Sequence, residues 1–93
     1  MLEIRISCEN CGKELPNECA DAMICSYECT FCNDCVENVL FNVCPNCGGG
    51  FEKRPIRPKD ELIKNPARKD RVYKPVVNNI FLVKNKNIEP VKR

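Results

Sequence analysis

The sequence predicts a small α+β domain whose shape is set by bound metal, followed by an extended basic C-terminal tail. Three observations lead there. At 93 residues the chain builds only a marginal hydrophobic core, so a staple of metal or disulfide is expected. Its nine cysteines all fall within residues 1–50, and most stand in C-x-x-C pairs. Charge changes sign at the same boundary. Residues 1–50 carry Arg5 and Lys13 against eight acids, a net of −6, whereas residues 51–93 carry thirteen Lys/Arg against five acids, a net of +8. The overall +2 therefore conceals two opposite halves and identifies no partner by itself.

Two units are expected: a cysteine-rich domain over residues 1–50, and a basic tail over residues 51–93 partly packed upon it. Leu2, Ile4 and Ile6 alternate weakly and suggest a short strand leading into Cys8. Met23–Cys25 and Thr30–Cys32 read as the arms of a hairpin-like element. A helix is expected from Asp34 to Val43, because Val36, Val39, Leu40 and Val43 fall on one face. Asp34 is placed to cap its start, and Pro45 follows its end. Gly48-Gly49-Gly50 marks the expected end of the compact region. Lys53 to Lys59 is basic, proline-interrupted and extended; residues 59–65 suit a short helix stopped by Pro66. Val76 to Val83 reads as a hairpin around Asn78-Asn79, or as one strand packed on the domain, and Lys84 to Arg93 as a frayed tail.

The first residues show no basic segment followed by an apolar run, so no secretory signal is expected, and no stretch approaches the ~18 apolar residues of a membrane span. A cytoplasmic setting without membrane contact follows as the expectation. Thiols stay reduced there, which favours metal over disulfides.

Cys8-Glu9-Asn10-Cys11-Gly12 and Cys44-Pro45-Asn46-Cys47-Gly48 share the form C-x-N-C-G. A two-residue spacer lets both thiolates of a tight turn reach one ion, about 2.3 Å from each sulfur for zinc. Glycine after the second cysteine tolerates positive φ, which turns backbone N–H groups toward sulfur. The ordered candidates are Cys8, Cys11, Cys25, Cys29, Cys32, Cys35, Cys44 and Cys47, enough for two four-cysteine sites and two Zn²⁺ per chain. Interleaved pairing and sequential pairing (Cys8/Cys11/Cys25/Cys29 with Cys32/Cys35/Cys44/Cys47) both satisfy the count, as does a single-zinc treble clef with spare thiols. Interleaving would close longer loops and pin the helix between the two ions.

This order and spacing resembles a RING domain with cysteine where histidine usually stands. Cys29-Thr30-Phe31-Cys32-Asn33-Asp34-Cys35-Val36 resembles the family's central core, and Cys44-Pro45-Asn46-Cys47 its closing C-P-x-C; the resemblance covers roughly residues 8–48. It implies a cross-brace, with Cys8, Cys11, Cys32 and Cys35 on one zinc and Cys25, Cys29, Cys44 and Cys47 on the other. The chain to about Pro75 is also similar to a small, uncharacterised bacterial cysteine-rich family, through its Met-Leu-Glu start, the phrase Ile24-Cys25-Ser26-Tyr27-Glu28-Cys29-Thr30-Phe31-Cys32, and Arg54-Pro55-Ile56-Arg57-Pro58.

Several residues have plainer readings. Cys19 lacks a closely spaced partner and reads as a bystander rather than a redox thiol. A metallothionein-like store would have no use for Ile24, Phe31 and Leu40 as core. Two zinc ions with eight thiolates bring the first half to about −10, so the +8 tail has an acidic surface within its own chain. Arg54, Arg57 and Lys59 are as suited to neutralising that surface as to meeting phosphates. Tyr73 and Phe81 are expected to anchor the tail in preference to stacking on bases. Phe41 lies off the apolar stripe, to be covered by the tail, by a second copy of the chain, or by a partner.

No enzyme is expected. The chain has no histidine, no nucleophile–base pair and no Gly-rich phosphate loop, and zinc closed by four thiolates holds no water to activate. Three functional classes remain: a structural zinc module for protein–protein interaction, a ubiquitin-ligase-like RING adaptor, and nucleic-acid binding through the tail. The ligase class comes second to the zinc module: Pro45 matches the family's recruiting surface and Leu40 or Phe41 suits its bulky helix position, while Gly12 and Gly48 depart from it. An unidentified protein partner is the first expectation, and a homodimer is compatible with it.

Overall fold

The computed structural model describes residues 1–93. Its centre is a hairpin. Strand β1 (Ala22–Ile24) pairs antiparallel with β2 (Thr30–Cys32), with Met23 opposite Phe31. The connecting turn is closed by the Cys25 N–H donating to the Cys29 carbonyl at 3.2 Å, and Glu28 takes φ 66° within it. This agrees with the expected hairpin to within a residue.

Helix α1 (Asn33–Asn38) follows β2 directly and is shorter than the expected Asp34–Val43. Phe41 (φ 48°) and Asn42 (φ 59°) enter the left-handed region and end it, with the Asn42 N–H returning to the Val36 carbonyl at 3.0 Å. The reversal buries Val43 and Leu40, the latter in one cluster with Val36, while Val39 is left 43% exposed. Asn42 holds the turn through its side-chain oxygen, which accepts the Phe51 N–H at 3.0 Å. Asp34 does not cap the helix; its carboxylate accepts from the Asn38 amide at 2.8 Å.

The glycine run does not end the compact unit. Strand β3 (Glu52–Lys53) adds to the free edge of β1, giving the antiparallel order β2-β1-β3. Phe51 enters the core edge-on to Phe31, with centroids 5.4 Å apart, among Leu15, Ala22, Val36 and Leu40. Arg54 is 1% exposed and donates to the carbonyls of Arg5 (2.6 Å), Leu15 (3.1 Å) and Pro16 (2.7 Å). Burial pulls its pKa down, opposed by the charges of Cys19 and Glu18. Arg54 thus serves carbonyls that no strand serves. Residues 1–7 accordingly form no extended strand; a single bridge joins Ser7 to Glu14, although Ile4 is buried.

The later half of the chain wraps this unit. Helix α2 (Lys59–Lys64) forms where expected, between Pro58 and Pro66. In place of a hairpin or strand after Val76, the Asn79 side chain accepts the Phe81 N–H at 3.1 Å and opens helix α3 (Leu82–Asn85). The last residues are not frayed. Pro90–Lys92 form a 3-10 turn, and Arg93 donates to the Asn42 carbonyl at 2.6 Å. The fold is therefore a small α+β domain with three short helices, where one was expected in the cysteine-rich unit and one at residues 59–65. No helix is long and apolar enough to cross a membrane.

Candidate metal centre

Each C-x-N-C-G segment folds as a tight turn closed by glycine in the left-handed region, Gly12 at φ 77° and Gly48 at φ 79°. In the first turn the Gly12 N–H donates to the Cys8 carbonyl, and in the second the Gly48 N–H donates to the Cys44 carbonyl. The hairpin, with the start of α1, supplies the remaining thiols: Cys25 and Cys29 flank its turn, Cys32 ends β2, and Cys35 lies in α1.

The sulfurs gather across the sequence. Those of Cys8, Cys11, Cys32 and Cys35 all lie within 4.8 Å of one another, as do those of Cys25, Cys44 and Cys47. The first turn thus meets Cys32 and Cys35, skipping over Cys25 and Cys29, and the second turn meets Cys25. Cys29 stands outside the mutual triplet, but its thiol interacts with those of Cys25 and Cys44. Cys19 joins neither group; its sulfur accepts the Asp21 N–H at 3.3 Å. All nine cysteines are free thiols.

The donor set fits a tetrahedral ion. Four sulfurs each about 2.3 Å from one zinc lie about 3.8 Å from one another, and Cys11 and Cys32 are 3.7 Å apart. Charge makes the same point. Cys25 is held well below the usual thiol range by hydrogen bonds from Cys29 and Cys44, and Cys44 is pushed up, first by its contact with Cys25. Burial pushes up Cys32 and Cys35. One thiolate in such a cluster forces its neighbours to keep their protons, and a bound cation removes that conflict. All-sulfur tetrahedral sites suit zinc or iron.

Donors around the sulfurs support this charge. The N–H groups of Tyr27, Asn46 and Gly49 point at Cys25 (3.3 Å), Cys44 (3.4 Å) and Cys47 (3.5 Å). The two turns also share a device that sequence reasoning missed. The Asn10 amide donates to the Cys35 sulfur at 3.3 Å, and the Asn46 amide to the Cys29 sulfur at 3.4 Å. Each turn thereby contacts a sulfur of the hairpin–helix segment through the same position. The repeated asparagine was visible in both motifs, and its recurrence was the available signal.

Glu9 was missed without any such signal. It is 2% exposed, and its carboxylate accepts from Arg5 (2.9 Å), the Thr30 N–H (3.1 Å) and the Asn46 amide (3.5 Å). Burial raises its pKa, with the Cys29 charge adding to the shift and Thr30 and Arg5 opposing it. It links the first turn to the neighbourhood of the second cluster.

The tail aromatics sit on the turn glycines. The Tyr73 ring lies over Gly12, and the Phe81 ring lies against Gly48. Arg54 and Arg57, candidates for an acidic surface or for phosphates, instead serve carbonyls. Arg57 donates to Asn65 at 2.6 Å and to Leu2, and it exchanges backbone bonds with the Asn17 side chain at 2.9 Å.

Comparison with known proteins follows the same boundaries. The family model described as "Protein of unknown function (DUF1272)" matches residues 1–57, which span both turns, the hairpin, α1, β3 and the buried Arg54. An uncharacterised protein of Rhizobium meliloti (strain 1021), R02474, is 52% identical over 75 residues, covering 81% of this chain and 89% of that protein. No solved structure matches. With more than half its length matched by the family model, and a relative of that identity over most of both chains, the protein belongs to the DUF1272 family.

Proposed function

We propose that this chain is a non-catalytic zinc module with a RING-like cross-brace, presenting a surface to a protein partner. Cys8, Cys11, Cys32 and Cys35 hold one ion, and Cys25, Cys29, Cys44 and Cys47 hold the other. The observation that carries the reading is the interleaved convergence of the sulfurs, with the first turn joined to Cys32 and Cys35 and the second to Cys25. Cys29 is assigned as the eighth ligand because Asn46 contacts it as Asn10 contacts Cys35. Such ions supply folding free energy, and four thiolates leave no open position for substrate or water.

A partner surface is favoured by the end of α1. Phe41 is 43% exposed beside a groove formed with Met23 and Val36, and the Lys86 ammonium sits over its ring, 4.6 Å from the centroid. The ligase-like reading has less support, because tail residues Lys74 to Asn78 line the groove at Pro45 and Asn46. Nucleic-acid binding has less as well, with Arg54 and Arg57 turned inward.

Native mass spectrometry of the chain, with and without chelator, tests the core of this reading. Two zinc ions per chain are expected, and the same spectra count the copies in the assembly. A single ion, an iron–sulfur mass or no metal overturns the two-site assignment. Binding to mixed RNA and DNA at low salt is expected to be absent.

A further inference from the structure

The geometry points to Asn10 as a relay that couples metal occupancy of the first centre to docking of residues 73–76. It rests on the reading that Cys8, Cys11, Cys32 and Cys35 hold a metal.

An amide side chain has a fixed polarity, with two donors on nitrogen and one acceptor oxygen. Asn10 uses both ends. Its nitrogen donates to the Cys35 sulfur at 3.3 Å, and its oxygen accepts the Val76 N–H at 2.8 Å. A metal-bound thiolate carries no proton and can only accept. It therefore orients the amide with nitrogen toward sulfur, and that orientation presents oxygen to Val76. The relay is reinforced on both sides. The Lys74 N–H donates to the Glu9 carbonyl at 2.7 Å, and Tyr73 lies over Gly12. Residues 73–76 thus run along residues 9–12, the turn that a first-site metal shapes.

Asn46 provides the internal contrast. It occupies the equivalent place in the second turn, yet its amide nitrogen contacts Cys29 and the Glu9 carboxylate, both in the cysteine-rich half. Asn46 positions a sulfur. Asn10 positions a sulfur and holds the tail. Linkage is reciprocal: whatever docking adds to metal affinity, the metal adds to docking. Loss of the first metal would free residues 73–76, which carry Tyr73 and Lys74.

The test uses the full zinc-loaded chain and follows zinc extraction by a competing chelator. Val76→Pro deletes the N–H that meets Asn10 while leaving every sulfur and Asn10 in place. It is expected to weaken one of the two ions about fivefold or more, with the other unchanged. Asn10→Asp keeps an acceptor for Val76 but loses the donor to Cys35, and about a tenfold to hundredfold loss at the same ion is expected. Tryptic cleavage after Arg71, just before the segment, reports independently that Val76→Pro has released it. If the segment is released while both ions are extracted as from wild type, or both weaken equally, the relay is wrong. A wild-type chain that binds no metal overturns the relay together with the reading beneath it. Two bound metals with unaltered extraction overturn the relay alone.

Discussion

Phe81 rests directly on Gly48. A Cβ at position 48 would lie 2.9 Å from the Phe81 ring and 2.8 Å from the Asn85 amide nitrogen, whereas one at position 12 would meet Tyr73 at an ordinary 3.6 Å. The two turns share a backbone conformation and differ in how tightly the tail covers them.

Gly48→Ala should therefore cost more than Gly12→Ala. Both place a side chain in the left-handed region, about 1–2 kcal/mol each. Gly48→Ala adds a collision worth about 1–3 kcal/mol. Thermal unfolding of the zinc-loaded variants should rank wild type above Gly12→Ala and Gly12→Ala above Gly48→Ala. Equal losses would mean that Phe81 and Asn85 do not press on the second turn.

Arg54→Met should destabilise the fold although it removes a charge from a basic segment. The Arg5 and Leu15 carbonyls lose the Arg54 guanidinium, and the Pro16 carbonyl keeps only the Cys19 N–H. A loss of about 2–4 kcal/mol is expected in urea denaturation. Lys59→Ala, at the exposed start of α2, should stay within about 0.5 kcal/mol of wild type.

Cysteine substitutions should separate ligands from the bystander. Cys29→Ser is expected to leave one tightly held zinc by native mass spectrometry, and Cys19→Ser to leave two. Retention of both ions by Cys29→Ser would remove Cys29 from the second site and require another eighth ligand.

Acid should release the metals and unfold the domain in one linked process. Zinc binds thiolates, whose ordinary pKa in an unfolded chain is about 8.5, and holds them ionised far below it. The folded-state value is thus depressed, so the stabilisation is present at high pH and lost as protons displace zinc on acidification. Circular dichroism and zinc release should fall together, and excess zinc should move both midpoints to lower pH. Structure that persists after the metal has gone would place the folding energy in the apolar core.

Local chemistry made much of the molecule legible. Two C-x-N-C-G turns, a hairpin between cysteines, and helix α2 between two prolines follow from residue types a few positions apart. The Val36–Val43 periodicity located α1, but not its end. Nothing in a 3.6-residue pattern reveals that Asn42 will spend its side chain on Phe51 and accept a left-handed turn to do so. Val76–Val83 failed for a related reason. Its β-branched residues favour a strand, yet the Asn79 side chain accepts the Phe81 N–H and opens a helix instead.

The sequence by itself determined the chemistry: which atoms can ligate, and how two tight turns present them. Only the tertiary structure decided which distant sulfurs meet, where Arg54 and Arg57 point, and that the tail's aromatic rings and amides close over the turn glycines. Ligand-forming turns depend on neighbours along the chain. Burial and hydrogen-bond pairing depend on segments up to 66 residues apart, as Asn10 and Val76 are, and no local pattern encodes which of them will be adjacent.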